Sequence, residues 1–285
     1  MVENEIIRSC MKKFCLLLCA AVFTAQAAAG FDFEWKKFHM DASRTGVSVT
    51  SVDNVPEALG TVEKGVYTAP NGRKFKGGVT PEVARLLIEV QPAMAEVKTV
   101  VGYSTSEMRR HRPESELSNM IVDCMMARAE KELGRKVDVG ITNFGGIRVD
   151  MPQGDVLLDD VMSMLPFKNY LCYLEVKGKD LRYMFKKMAQ GKVEVIGGAR
   201  LVMKNHQLVS ATIGGRPIDD NKVYGVATID FLLDGGDNVS VARNALSLTK
   251  TDVLIFDALM GYLQELKAEG KPIEYKTDGR VVIQK

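Results

Sequence analysis

Apolar residues recur along this chain at two spacings, and the alternation between the two lays out a fold. Val83, Leu86, Leu87 and Val90 fall at helical spacing in "TPEVARLLIEVQPAMAEV", with Thr80 as an N-cap and Pro81 at the first helical position, so a helix is expected there. "TVVGYS" reads as a strand. "SELSNMIVDCMMARAEKEL" reads as a second helix with Leu117, Met120, Ile121, Cys124 and Met125 on its apolar face. The strand "VDVGIT" leads into a polar, glycine-rich loop, "NFGGIRVDMPQGD", and then a short helix, "LLDDVMSML". After these come a strand "YLCYLEVKG" ended by Gly178 and a helix "KDLRYMFKKMAQG" closed by Gly191. Two strands, "ARLVM" and "QLVSATI", flank a turn at residues 204–206, and "VYGVATIDFLL" is a long strand. Residues 251–270 read as a capped helix and "GRVVIQ" as a terminal strand. Strands alternating with helices predict an α+β (mixed α/β) fold, a mixed sheet with helices packed on it.

The N-terminus follows a different pattern. Met11-Lys12-Lys13, an apolar run from Phe14 to Phe23 and Ala25-Gln26-Ala27 have the form of a secretory leader. Residues 1–29 are therefore expected to be removed, with Met11 as the expected start, and the protein to be exported to the periplasm or beyond the cell. The leader's run is too short for a membrane span, and no other transmembrane segment is expected. Residues 30–79 form a turn-rich extension of short strands and loops, punctuated by "APNGRKFKGG", and residues 80–285 make up the main domain.

Composition narrows the partners. With 38 Lys and Arg against 36 Asp and Glu, the charge is balanced and carries no signature for nucleic acid. Cys124 and Cys172 are the cysteines beyond the leader, each among apolar neighbours, and read as buried thiols ahead of a disulfide. His39, His111 and His206 are not at ligand spacing with each other or with a cysteine, so each reads as a surface or loop residue. The adjacent pairs Asp159-Asp160 and Asp219-Asp220 point in different directions by periodicity; the first reads as helix N-terminal charge and the second as turn residues. No P-loop, nucleophile elbow or dinucleotide fingerprint occurs.

Three strand-edge loops carry the ligand argument: "NFGGIR" with its later Gly-Asp, "PFKN", and "FLLDGGD". In this order, with "ESELSNMIVDC" ahead of them, they resemble the C-terminal domain of the 5'-nucleotidase and UDP-sugar hydrolase family over a stretch from about Gly102 to Lys285. The resemblance implies a nucleoside site in which Phe167 and Phe231 clamp the base and Asp237 holds the ribose hydroxyls. Asn143, Arg148, Asn169 and Gly191 match other contacting positions. Arg112 best matches a further binding arginine, with Arg110 or His111 in its place if the spacing shifts. Read without the resemblance, the two phenylalanines could be core aromatics, Asp237 a turn residue, and Arg148 a partner of loop carbonyls. Phe144 stands where the family has glycine.

In that family a separate metallophosphatase domain holds two metals, and the stretch before residue 80 is too short to encode it. The resemblance therefore implies no metal or other cofactor in this chain, with divalent metals only in a partner metallophosphatase. It leaves two readings open. One is the nucleotide-recognition half of a 5'-nucleotidase-like hydrolase that acts with that partner in nucleotide catabolism. The other is a non-catalytic nucleoside- or nucleotide-binding protein of the cell envelope.

Overall fold

A computed structural model describes residues 54–284. The leader and the first part of the extension lie outside the described residues. The described extension builds a small motif: helix α1 (Val55–Leu59) and an antiparallel sheet of β1 (Thr61–Glu63), β2 (Val66–Thr68) and β3 (Lys74–Lys76). Helix α2 (Val79–Glu89) packs on α1 and on all three strands. Gly78, in the left-handed region, is its N-cap, so the helix begins one residue before the expected cap at Thr80. Pro81 sits in the first turn, where its missing N–H costs no helical hydrogen bond. Pro81 and the half-buried Ala84 and Ile88 face inward, while the apolar stripe that marks the helix in the sequence stays outside, with Leu86 60% and Leu87 49% exposed.

The main body forms around helix α3 (Glu116–Leu133). Ser115 caps it: its hydroxyl accepts the Ser118 N–H, and the Ser118 hydroxyl accepts the Ser115 N–H in return. The expected apolar face is buried. It lies on a five-stranded sheet ordered β13-β7-β12-β5-β8, made of β5 (Val139–Thr142), β7 (Tyr170–Lys177), β8 (Val195–Gly197), β12 (Val223–Ile229) and β13 (Ser247–Leu254). Gly140 on β5 and Gly197 on β8 allow this close approach, because a Cβ on either would lie under 3 Å from Met126 of α3. β5, β7 and β12 are almost continuously buried, as in strands covered on both faces. Helix α4 (Leu158–Met164) precedes β7, and helix α5 (Gly178–Gln190) packs between β7 and strand β10 (Gln207–Ile213). Strands β9 (Ala199–Lys204), β10 (Gln207–Ile213), β11 (Arg216–Pro217) and β14 (Val281–Gln284) form a four-stranded sheet, and β4 (Val100–Ser104) pairs with β6 (Gly154–Leu157).

Several expectations shift. Gly178 opens α5 and does not end β7. The last helix, α6 (Ile255–Ala268), begins four residues after Thr251, because residues 251–254 extend β13 and Leu254 pairs with Tyr170. β12 ends at Ile229, where a short 3-10 turn takes over. The short strands β6 and β8 were not expected. Cys124 and Cys172 are buried free thiols, and burial pushes the Cys172 thiol up to about 11. No described helix is long and apolar enough to cross a membrane.

One buried carboxylate ties the C-terminal strand to α3. Glu114 Oε1 accepts from Asn119 Nδ2 at 2.8 Å, from Asp278 N at 2.7 Å and from Gly279 N at 3.1 Å. Arg280, also buried, reaches Asp123 of α3 through both terminal nitrogens and Asp278 through Nη2 at 2.9 Å. Replacing Glu114 with Ala leaves those amides unpaired and is expected to lower the unfolding free energy by on the order of 3 kcal/mol in urea titration. The hydrogen bond from Arg280 holds the Asp278 carboxyl below the usual range. That contribution is complete above the unfolded carboxylate pKa near ~3.9 and is lost as pH falls through the lower folded value. The stability difference between wild type and Asp278→Asn should accordingly be larger at neutral pH than in strong acid.

Candidate functional site

The mixed pairing of the central sheet decides where the loops emerge. β12 runs parallel to β5, so both end at the same edge; β7 runs antiparallel to β12 and β8 antiparallel to β5, so both begin there. The loops that follow β5 and β12 and those that precede β7 and β8 therefore share one end of the sheet. Each binding residue that the resemblance implies, apart from Arg112 and its alternatives Arg110 and His111, lies on one of these four loops. Arg112 comes from the segment ahead of α3 and reaches the same end through its ion pair.

After β5, Asn143 is buried and its Nδ2 donates to Asp237 Oδ2 at 2.5 Å, joining the first loop to the last. Its Oδ1 is buried without a hydrogen-bond partner among the described residues. Gly146 is compelled by this side chain, since a Cβ there would lie 2.8 Å from Oδ1. Phe144 fills the core in place of glycine without left-handed backbone, and its N–H donates to Glu194 Oε2 at 2.7 Å. Glu194 in turn receives Arg112 Nη2 at 2.5 Å, and the Arg112 guanidinium lies 4.7 Å from the Phe144 ring centre. Arg112 Nε also donates to the Val193 carbonyl, at 2.9 Å. Arg112 is thus bound into the wall of the site, and Arg110 binds the Ile147 carbonyl beside it.

Arg148 is exposed: Nη1 donates to the Gly145 carbonyl at 3.2 Å, and its guanidinium lies 5.9 Å from the Phe167 ring centre. Of the two roles open to it in the sequence, the loop-carbonyl contact is present. Phe167 is 47% and Phe231 48% exposed, so neither is a core aromatic. Asp230 links their loops, its Oδ1 accepting from the Tyr170 N–H at 3.1 Å and the Phe231 N–H at 2.9 Å. Gly236 packs against the Phe231 ring, where a Cβ would lie 2.5 Å from Cε1. Asn169 lines a small crevice with Asn143 and Phe167. Asp237 and Asn238 stand between two larger cavities, one running to Arg112 and Glu194 and the other to Gly191. The Gly191 N–H is already used by the Lys187 carbonyl at the end of α5. Glu194 and Asp230 carry no signal in the sequence, because each ties its loop to a backbone amide far along the chain.

No group of three or more His, Cys, Asp or Glu among the described residues could hold a metal ion.

The architecture defines a class, a mixed α/β domain whose ligand-facing residues gather on loops at one sheet end. Residues 94–244 match the family described as 5'-nucleotidase, C-terminal domain, and the chain belongs to it. It is 30% identical over 229 residues to the trifunctional nucleotide phosphoesterase protein YfkN of Bacillus subtilis, covering 70% of this chain and 15% of that protein. It is 26% identical over 222 residues to protein UshA of Yersinia enterocolitica, covering 74% of this chain and 38% of UshA. A 5'-nucleotidase precursor from Thermus thermophilus superposes with a TM-score of 0.62 at 25% identity, over 76% of this chain and 45% of that one. The chain thus spans less than half the length of each of these relatives.

Glu194 is the residue on which the loop after β5 depends. Glu194→Ala should abolish protection of the Phe144 amide in hydrogen exchange while leaving the core of α3 protected, since only the loop loses its acceptor.

Proposed function

We propose that this chain is the nucleoside-recognition half of a 5'-nucleotidase-like hydrolase, acting with a metallophosphatase carried by another polypeptide. One observation carries the reading: two half-exposed phenylalanines stand on neighbouring loops that a single carboxylate, Asp230, ties together. An aromatic ring left in solvent gains by stacking on a base, and because every base has a π-face the contact tolerates different nucleosides. Asp237 supplies a carboxylate for the ribose hydroxyls, held in place by Asn143. Asn143, Asn169, Arg148, Arg112 and Gly191 complete the lining. The family membership and the nucleotide phosphoesterase name of a relative support the ligand class. The leader-like pattern over residues 11–29 supports an exported setting, where nucleotides from outside the cell would be met.

Phe167→Ala and Phe231→Ala are each expected to weaken adenosine and uridine binding by about 1 to 3 kcal/mol in titration calorimetry, with unfolding midpoints unchanged. Wild type that binds no nucleoside would refute the assignment. For the partner, the expected result is phosphate release from AMP by a co-purified metallophosphatase that rises when this chain is added. Release by the chain alone would place the catalysis here, and nucleoside binding with no partner and no release would favour the binding-protein reading.

A further inference from the structure

Beside Asp237, a cavity of about 480 Å³ opens between α5 and residues 237–243. Its volume suits a small molecule and not a polymer. Three cations border it: Lys187 on α5, Lys192 just past the helix end, and Arg243 on the facing loop. None of the three forms an ion pair within 4 Å with a described carboxylate. Arg243 instead lies 4.4 Å from the centre of the Tyr183 ring, and Lys187 5.7 Å from the same ring. Tyr183 is 42% exposed, so one aromatic face and its two cations stand at the mouth of the cavity. The floor is apolar, with Val176, Met184 and Met188 buried beneath.

Two carboxylates also line the cavity, and both are already fixed by neutral donors: Asp180 by Asn244 Nδ2 at 2.8 Å and Asp237 by Asn143 Nδ2 at 2.5 Å. Carboxylates held in this way repel an anion placed against them but accept hydroxyl protons well. The lining therefore asks for a molecule with an anionic end near the cations, hydroxyls near the carboxylates, and a C–H face for Tyr183 and the methionines.

We infer that this cavity binds the phosphate ester of a sugar or small polyol: Lys187, Lys192 and Arg243 hold the phosphate, and Asp180 and Asp237 accept hydroxyls. A phosphate fits three unpaired cations better than a single carboxylate would, since it offers three terminal oxygens and up to two negative charges. The cavity shares Asp237 with the nucleoside site but is lined by neither Phe167 nor Phe231, and it does not depend on those rings taking a base.

Titration calorimetry with glucose 6-phosphate, glucose and inorganic phosphate tests the assignment. Glucose 6-phosphate is expected to bind more tightly than either of the others. The double variant Lys187→Gln with Arg243→Gln should weaken it by about tenfold or more, the scale of one lost charge-assisted hydrogen bond. Asp180→Asn should weaken glucose 6-phosphate without weakening inorganic phosphate, which loses only a repulsive charge. Phe167→Ala should leave both unchanged, so a failure of the nucleoside reading and a failure of this one are told apart. If the double variant does not fold, Lys192→Gln, at an exposed position beyond the helix end, replaces it. No binding of glucose 6-phosphate to wild type at millimolar concentration, or unchanged affinity in the cation variants, overturns the proposal.

Discussion

Strand β12 hydrogen-bonds on both sides, in parallel to β5 and antiparallel to β7, and the site exists because of that double pairing. Had β12 paired in one sense only, the loops bearing Phe167 and Phe231 could not share an edge with Asn143. The pairing is reinforced at the site end, where the buried Thr228 hydroxyl donates to the Ile141 carbonyl at 2.9 Å, one strand from the next. Helix α3 then presses on the same strands through Gly140 and Gly197, so the platform beneath the loops is rigid before any loop conformation is chosen.

On that platform, polar side chains act mostly on backbone. Glu194 holds the Phe144 amide, Asp230 holds two amides on different loops, and Arg148 and Arg112 reach loop carbonyls. The groups left for a ligand are few: two aromatic faces and the Asp237 carboxylate. Such economy suits recognition, because a site whose walls are already hydrogen-bonded loses little freedom on binding.

Long elements with one clear period were legible in the sequence. Helix α3 had an apolar face at helical spacing, and the structure buries it. β8 is three residues long, too short for alternation to register, and β6 lies inside a run that also suits a turn. The start of α6 was placed four residues early because Thr251 caps well in isolation, while pairing with β7 takes residues 251–254 into a strand. The stripe of α2 shows the reverse limit: periodicity located the helix but not which face a three-stranded sheet would cover. In the site, the exposed phenylalanines followed from their motif. Glu194 and Asp230 were invisible because their partners lie 50 and 60 residues away in sequence.

Asp237 and Asn238 are successive residues with left-handed backbone, at φ 51° and 62°. Each such residue costs about 1 kcal/mol relative to glycine, which adopts this conformation freely. A glycine at position 237 would thus relax the chain while removing the carboxylate that lines two cavities. Selection for thermal endurance and selection for ligand affinity pull in opposite directions at this one position, so a homologue hardened against heat here would be expected to recognise less.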